Sequence, residues 1–191
     1  MGKKNKNKNQ GFTLAEILIT VAILASVFSI VSGLFFSAVQ SQRRSLALQD
    51  LLKEVSYAME YMSRQLRMAQ KSDAGVPCTG PILKNYATTS NNIKFRSYQD
   101  TGECLEFSLI ADRLKVIKDM GGPPPLLEDF LTSENIIVES FNVVVIGDDE
   151  EDPNTQPKIT ISLKARAKGE KQESRPEIQI QTTVSQRNLD I

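Results

Sequence analysis

The chain has 191 residues, with 23 basic and 23 acidic side chains, a formal net charge of zero, two cysteines and no histidine. That length leaves room for one membrane span and one modest domain beyond it. Without histidine there is no Ser-His-Asp or Cys-His catalytic arrangement and no zinc site built on imidazole, and the chain carries no phosphate-cradling glycine loop, so the composition argues against an enzyme.

Residues 1–11 are polar and asparagine-rich and carry Lys3, Lys4, Lys6 and Lys8, a composition that builds no core of its own. After Glu16 no formal charge appears until Arg43. The apolar run 17–39 would extend about 35 Å as a helix, against a hydrocarbon core of about 30 Å. It is long enough to span a bilayer, and the lysines before it place the leader on the cytoplasmic side. Ser26, Ser29, Ser32, Gly33 and Ser37 recur at spacings near three and four, which lines one face of the helix with small side chains and permits close helix–helix approach. Glu16 stands out because an ionised carboxylate in a membrane helix costs on the order of 2.5 to 3.5 kcal/mol and calls for a partner.

The stretch Gly11-Phe12-Thr13-Leu14-Ala15-Glu16, with its basic leader and its apolar run, resembles the class III signal of type IV prepilins and type II secretion pseudopilins. The resemblance implies cleavage between Gly11 and Phe12 by a membrane-embedded prepilin peptidase, followed by methylation of the new amine on Phe12. It also implies that Glu16 pairs with the N-terminal amine of a neighbouring subunit during assembly on an inner-membrane platform. Cleavage puts a cation within about a turn of Glu16, which gives the buried carboxylate the opposite charge it requires. Once the leader is gone, 19 basic residues face 23 acidic ones, so general attraction to nucleic acid or to anionic lipid is not expected.

From Arg43 the pattern becomes amphipathic: Leu48, Leu51, Val55, Met59, Met62, Leu66 and Ala69 recur at steps of three and four, predicting one continuous helix to about residue 70 or 71 with a buried stripe. Asp73, Gly75, Pro77 and Pro81 end it and open a loop region. Strands are expected at 93–99, 105–110 and 113–118, the last two as a hairpin, followed by a helical turn at 126–131 and a strand at 136–146. Alternation is clearest at 159–167 and 178–184, which should pair as a second hairpin. Long helix, loop region and antiparallel strands together follow the order of the pilin fold, an α+β architecture. The expected organisation is a cleaved leader at 1–11, a transmembrane and filament-core helix at 12–42, an amphipathic helix at 43–71 and an extracytoplasmic domain at 72–191. Mature length, the elaborated middle section and a tail like that of many pseudopilins favour a minor subunit of the J-type or PilW-like kind.

Three smaller features complete the reading. Cys78 and Cys104 lie in the part expected outside the cytoplasm and are candidates for a disulfide. Asp148, Asp149, Glu150, Glu151 and Asp152 form an acidic run, a weak calcium candidate without EF-hand spacing and more simply a solvated loop. Lys164, Arg166, Lys168, Lys171 and Arg175 make a local basic patch, but no aromatic side chains interleave with it to stack bases. No cofactor is expected. The competing reading from another functional class is a signal-anchored extracytoplasmic binding module that never polymerises and keeps its leader.

Overall fold

The computed structural model describes residues 11–72, 78–79, 84–98, 103–119, 127–148, 156–169 and 175–187. It divides into two compact units, up to Arg43 and from Arg44 onward. A single helix, α1 (Leu14–Arg67), supplies the described regular structure of the first unit and opens the second. In the first unit its side chains are exposed on nearly every side, Phe28 and Phe36 to 71% and 72%. Beyond Leu51 the helix buries one stripe, Leu51, Val55, Ala58, Met59, Met62, Gln65 and Leu66, at the helical period the sequence shows. Leu48, the first expected member of that stripe, is only half-buried.

The helix ends at Arg67, short of the expected residue 70 or 71, because Ala69–Gln70 leaves it to form a two-residue strand, β1. Its last carbonyls are taken up from three directions. Met68 N–H donates to the Gln65 carbonyl at 3.1 Å and Arg187 N–H to the Arg67 carbonyl at 2.8 Å. The buried Tyr86 hydroxyl donates to the Leu66 carbonyl at 2.7 Å. Of the expected helix-stopping residues, Asp73, Gly75 and Pro77 lie outside the described residues, as does Pro81.

Eight further strands follow: β2 (Tyr86–Thr89), β3 (Asn92–Ser97), β4 (Cys104–Ile110), β5 (Arg113–Asp119), β6 (Leu127–Phe130), β7 (Ile136–Ile146), β8 (Lys158–Ala167) and β9 (Glu177–Ser185). The first sheet runs β1-β3-β4-β5-β6, with β2 also paired to β3; the second runs β7-β8-β9. Every pairing is antiparallel, including the two expected hairpins. The helical turn expected at 126–131 is instead the strand β6, drawn into extended form by pairing with β5 from Lys115↔Phe130 to Lys118↔Leu127.

Two local features set which side chains face inward. Ala111 and Asp112, with φ of 50° and 59°, form the two-residue turn of the β4–β5 hairpin, where asparagine and glycine are the usual occupants. The Asp112 carbonyl accepts a hydrogen bond from Val138 N–H at 2.8 Å, which ties that turn to the second sheet. In β7 a register shift between Val138 and Ser140 leaves Glu139 as an extra residue. Inward-facing positions therefore change parity, from Ile136 and Val138 to Phe141, and Val144 and Ile146 end up exposed at 54% and 64%. One buried cluster joins α1 to both sheets, with Leu51, Met62, Phe95, Phe107, Phe141 and Ile161 among its fully enclosed side chains.

Candidate functional site

The prepilin-like stretch lies at the start of α1. Thr13 is the helix cap: its carbonyl accepts from Glu16 N–H at 3.1 Å and Ile17 N–H at 3.3 Å, and its hydroxyl accepts from Glu16 N–H at 3.3 Å. Capping at Thr13 leaves Gly11 and Phe12 outside the helix, both exposed, Phe12 to 80%. A Cβ placed on Gly11 meets no atom within 4 Å. The fold itself thus makes no demand for glycine at that position. Glu16 sits in the first helical turn, where the macrodipole favours a carboxylate, and is exposed.

Beyond it the helix suits a lipid environment. Its most apolar 18-residue window has a mean hydropathy of 2.5, and none of that window is buried. Two polar side chains of the helix use their own backbone: Thr20 Oγ1 donates to the Ile17 carbonyl at 2.9 Å and Ser26 Oγ to the Ile23 carbonyl at 2.7 Å. Gly33 in the small-residue face also has open space where a Cβ would stand.

In the second unit, Cys78 and Cys104 are joined as a disulfide with their Cα atoms 5.4 Å apart, both nearly enclosed. The bridge links the segment after the helix to the first residue of β4, and Cys78 N–H donates to the buried Ser72 hydroxyl at 2.8 Å. Of the acidic run, Asp148 alone is described; Asp149, Glu150, Glu151 and Asp152 lie outside the described residues. Gly147, at φ 79°, turns the chain after β7 and sets the Asp148 carboxylate against β2. One carboxylate oxygen accepts from Asn85 N–H at 3.1 Å and Asn85 Nδ2 at 2.7 Å, the other from Tyr86 N–H at 2.9 Å. Among the described residues no group of three or more acidic, cysteine or histidine side chains could hold a metal ion. Asp148 thus serves as a clamp between the two sheets.

The basic patch is divided. Lys164 Nζ lies 2.8 Å from both Glu139 and Glu177, and Arg166 Nε lies 2.8 Å from Glu139. These contacts cross all three strands of the second sheet. The Lys164 ammonium, then the Arg166 guanidinium, hold the Glu139 carboxyl below its usual range, and Glu139 and Glu177 in turn raise the Lys164 ammonium. Two of the patch's cations are therefore committed to neighbouring carboxylates. Lys171 lies outside the described residues, while Lys168 and Arg175 are exposed at one end of the sheet.

Nothing in the sequence pointed to the contacts that tie the second unit together. Glu54 on α1 accepts from both the backbone and the hydroxyl of Ser133, each at 2.9 Å, across 79 residues of chain. Buried Gln186 donates to the Ala69 carbonyl at 2.9 Å and to Asn85 Oδ1 at 3.2 Å. The one signal for the Glu139 network is the presence of Lys164 and Arg166 at alternate positions of β8, beside which acids on the neighbouring strands can pair.

Comparison with known proteins places these features. Residues 6–32 match the prokaryotic N-terminal methylation motif. No curated protein matches the chain significantly. A solved type IV-like pilin from Thermus thermophilus aligns over 73% of this chain and 98% of its own, with a TM-score of 0.51 and 12% identity. The matched motif and the matched architecture are those of structural subunits, not of an enzyme family. The chain therefore carries a prepilin methylation motif on a type IV pilin-like fold, one long apolar helix packed by its second half on antiparallel sheets.

Proposed function

We propose that this protein is a prepilin-like subunit, cut between Gly11 and Phe12 by a prepilin peptidase, methylated on the Phe12 amine and assembled from the membrane into a helical filament. The observation that carries the reading is the exposed Gly11-Phe12 pair, held outside the helix by the Thr13 cap in a place where the fold needs no glycine. A side-chain-free residue there answers to a protease subsite. Glu16 then meets the amine of an adjoining subunit, which sets the axial register as helices leave the bilayer. An unpaired buried carboxylate would be strongly disfavoured there.

In this reading residues 12–42 form the span and filament core, with the N-terminus in the cytoplasm. Residues 43–71 and 72–191 form the extracytoplasmic part, ending in the periplasm or at the cell surface, where Cys78 and Cys104 are oxidised. The elaborated section between α1 and β7 supports a minor pseudopilin of the J-type or PilW-like kind, whose partners are other pilin subunits, the inner-membrane platform and lipid. The reading includes no nucleic-acid partner, in keeping with the pairing of Lys164 and Arg166 by Glu139 and Glu177.

The test is the N-terminal peptide mass of the protein from membranes of cells with and without a prepilin peptidase. An N-methylated Phe12 terminus that disappears without the peptidase is the expected result. An intact lysine leader in both strains would overturn the proposal in favour of a membrane-anchored module that never polymerises.

A further inference from the structure

The Thr13 hydroxyl works in the opposite sense from two other hydroxyls of α1. Thr20 Oγ1 and Ser26 Oγ donate back to carbonyls of their own turn, whereas Thr13 Oγ1 accepts from the Glu16 N–H at 3.3 Å. That N–H also lies 3.1 Å from the Thr13 carbonyl, which takes the Ile17 N–H at 3.3 Å as well. Helical hydrogen bonding therefore begins at Thr13, and Gly11 and Phe12 stand before it, exposed.

The same donors have another use. In a helix wound further back, the Glu16 N–H would donate to the Phe12 carbonyl and the Ala15 N–H to the Gly11 carbonyl, four residues earlier in each case. The Gly11 carbonyl belongs to the amide that the peptidase is proposed to cut. A nucleophile must reach its carbon, and a carbonyl turned along a helix axis and bonded to Ala15 presents that carbon poorly. Winding back is otherwise favoured, because the first N–H groups of a helix have no intrahelical partner and gain one from each carbonyl drawn in. Glycine at position 11 resists through its low helix propensity, but Phe12 is an ordinary helix residue.

We infer that the Thr13 side chain is a positioning residue for cleavage. By taking the Glu16 N–H it starts α1 at Leu14 and keeps the Gly11-Phe12 amide extended for the peptidase. The bond uses the backbone of Glu16 and not its carboxylate, so the start of the helix and the charge that serves assembly are set by different groups. The inference rests on the processing reading above and adds to it the group that fixes where the extended substrate segment ends.

The test compares full-length Thr13→Val, Thr13→Ser and Thr13→Asn precursors with the wild type in membranes containing a prepilin peptidase, with release of the leader followed over time by mass spectrometry. Valine keeps the branched shape of threonine and removes the acceptor, while serine and asparagine supply one at the cap. Thr13→Val should be cut about fivefold more slowly, the factor that a lost cap of ordinary strength is worth, and the serine and asparagine variants should stay within about twofold of the wild type. The Gly11 and Phe12 carbonyl carbons, read by NMR of the full-length precursors in detergent micelles, should shift toward helical values in Thr13→Val alone. Wild-type cleavage of Thr13→Val would overturn the inference. So would slow cleavage that serine and asparagine fail to restore, or slow cleavage with unmoved carbonyl shifts, since the peptidase would then be reading threonine itself. A wild-type precursor that the peptidase never cuts removes the processing reading as well, whereas normal cutting of every variant removes the role of Thr13 alone.

Discussion

The two parts of α1 share a backbone geometry and differ in what surrounds them. Up to Arg43 the side chains are apolar on all sides and exposed on nearly all of them; from Leu51 the apolar side chains gather on one stripe, and that stripe is enclosed. A helix that is apolar all round needs lipid or other helices, whereas one with a single apolar stripe needs a sheet. Among the described residues nearly all the apolar side chains of the first part stay exposed. Under the proposed function its fitness is decided in the membrane and the assembly, while the second part is decided by the fold.

Substitutions can sharpen that contrast, and the largest effect belongs to Glu16→Ala. Membrane insertion and cleavage should proceed normally while incorporation into filaments is lost, read by comparing the membrane and sheared-filament fractions; wild-type incorporation would remove the pairing role. Next comes a matched pair of leucines. Leu51→Ala empties a fully enclosed site and should cost about 2 to 5 kcal/mol in chemical denaturation of the second unit, whereas Leu24→Ala, 65% exposed, should leave that transition within about 0.5 kcal/mol. Equal losses at both positions would contradict the division between the two parts.

The disulfide acts only in the second unit. Cys78→Ser opens a loop closed across 26 residues and should cost roughly 3 kcal/mol, seen as faster proteolysis of that unit with no change in Phe12 processing. Identical mobility of the wild type with and without reductant would show the thiols to be free. A smaller gain is expected from Ala111→Asn with Asp112→Gly, which suits the left-handed turn of the β4–β5 hairpin and should stabilise by about 0.5 to 1 kcal/mol.

The smallest effect concerns pH. The Glu139 carboxyl is held below the usual carboxylate range, chiefly by Lys164, so its contribution to stability is present above the unfolded carboxylate range and is lost as pH falls through the lowered folded value. Lys164 behaves in the opposite sense: its contribution is present below the unfolded lysine range and fades only as strongly alkaline pH passes its raised folded value. Glu139→Gln should flatten the acid limb of the stability profile slightly. An unchanged limb would show the network to be fully screened by solvent.

Much of this protein was legible without a structure because its signals are local. The uncharged run after Glu16, the helical period from Leu51 to Leu66 and the alternation in β8 and β9 each depend on residues a few positions apart, and each matches its element closely. The Gly11-Phe12-Glu16 spacing is equally local, since in the proposed processing a protease and a methylase would read it as a short peptide. What the sequence left open depends on partners distant along the chain. Ala69–Gln70 is a strand and not a last helical turn because β3 is there to receive it, and Leu127–Phe130 is extended because β5 pairs with it. The bulge at Glu139 decides which face of β7 is buried, and Asp148 finds its donors 62 and 63 residues earlier in the chain. Local periodicity selects helix or strand, but hydrogen bonds between distant segments decide where each element stops and which side of it the core receives.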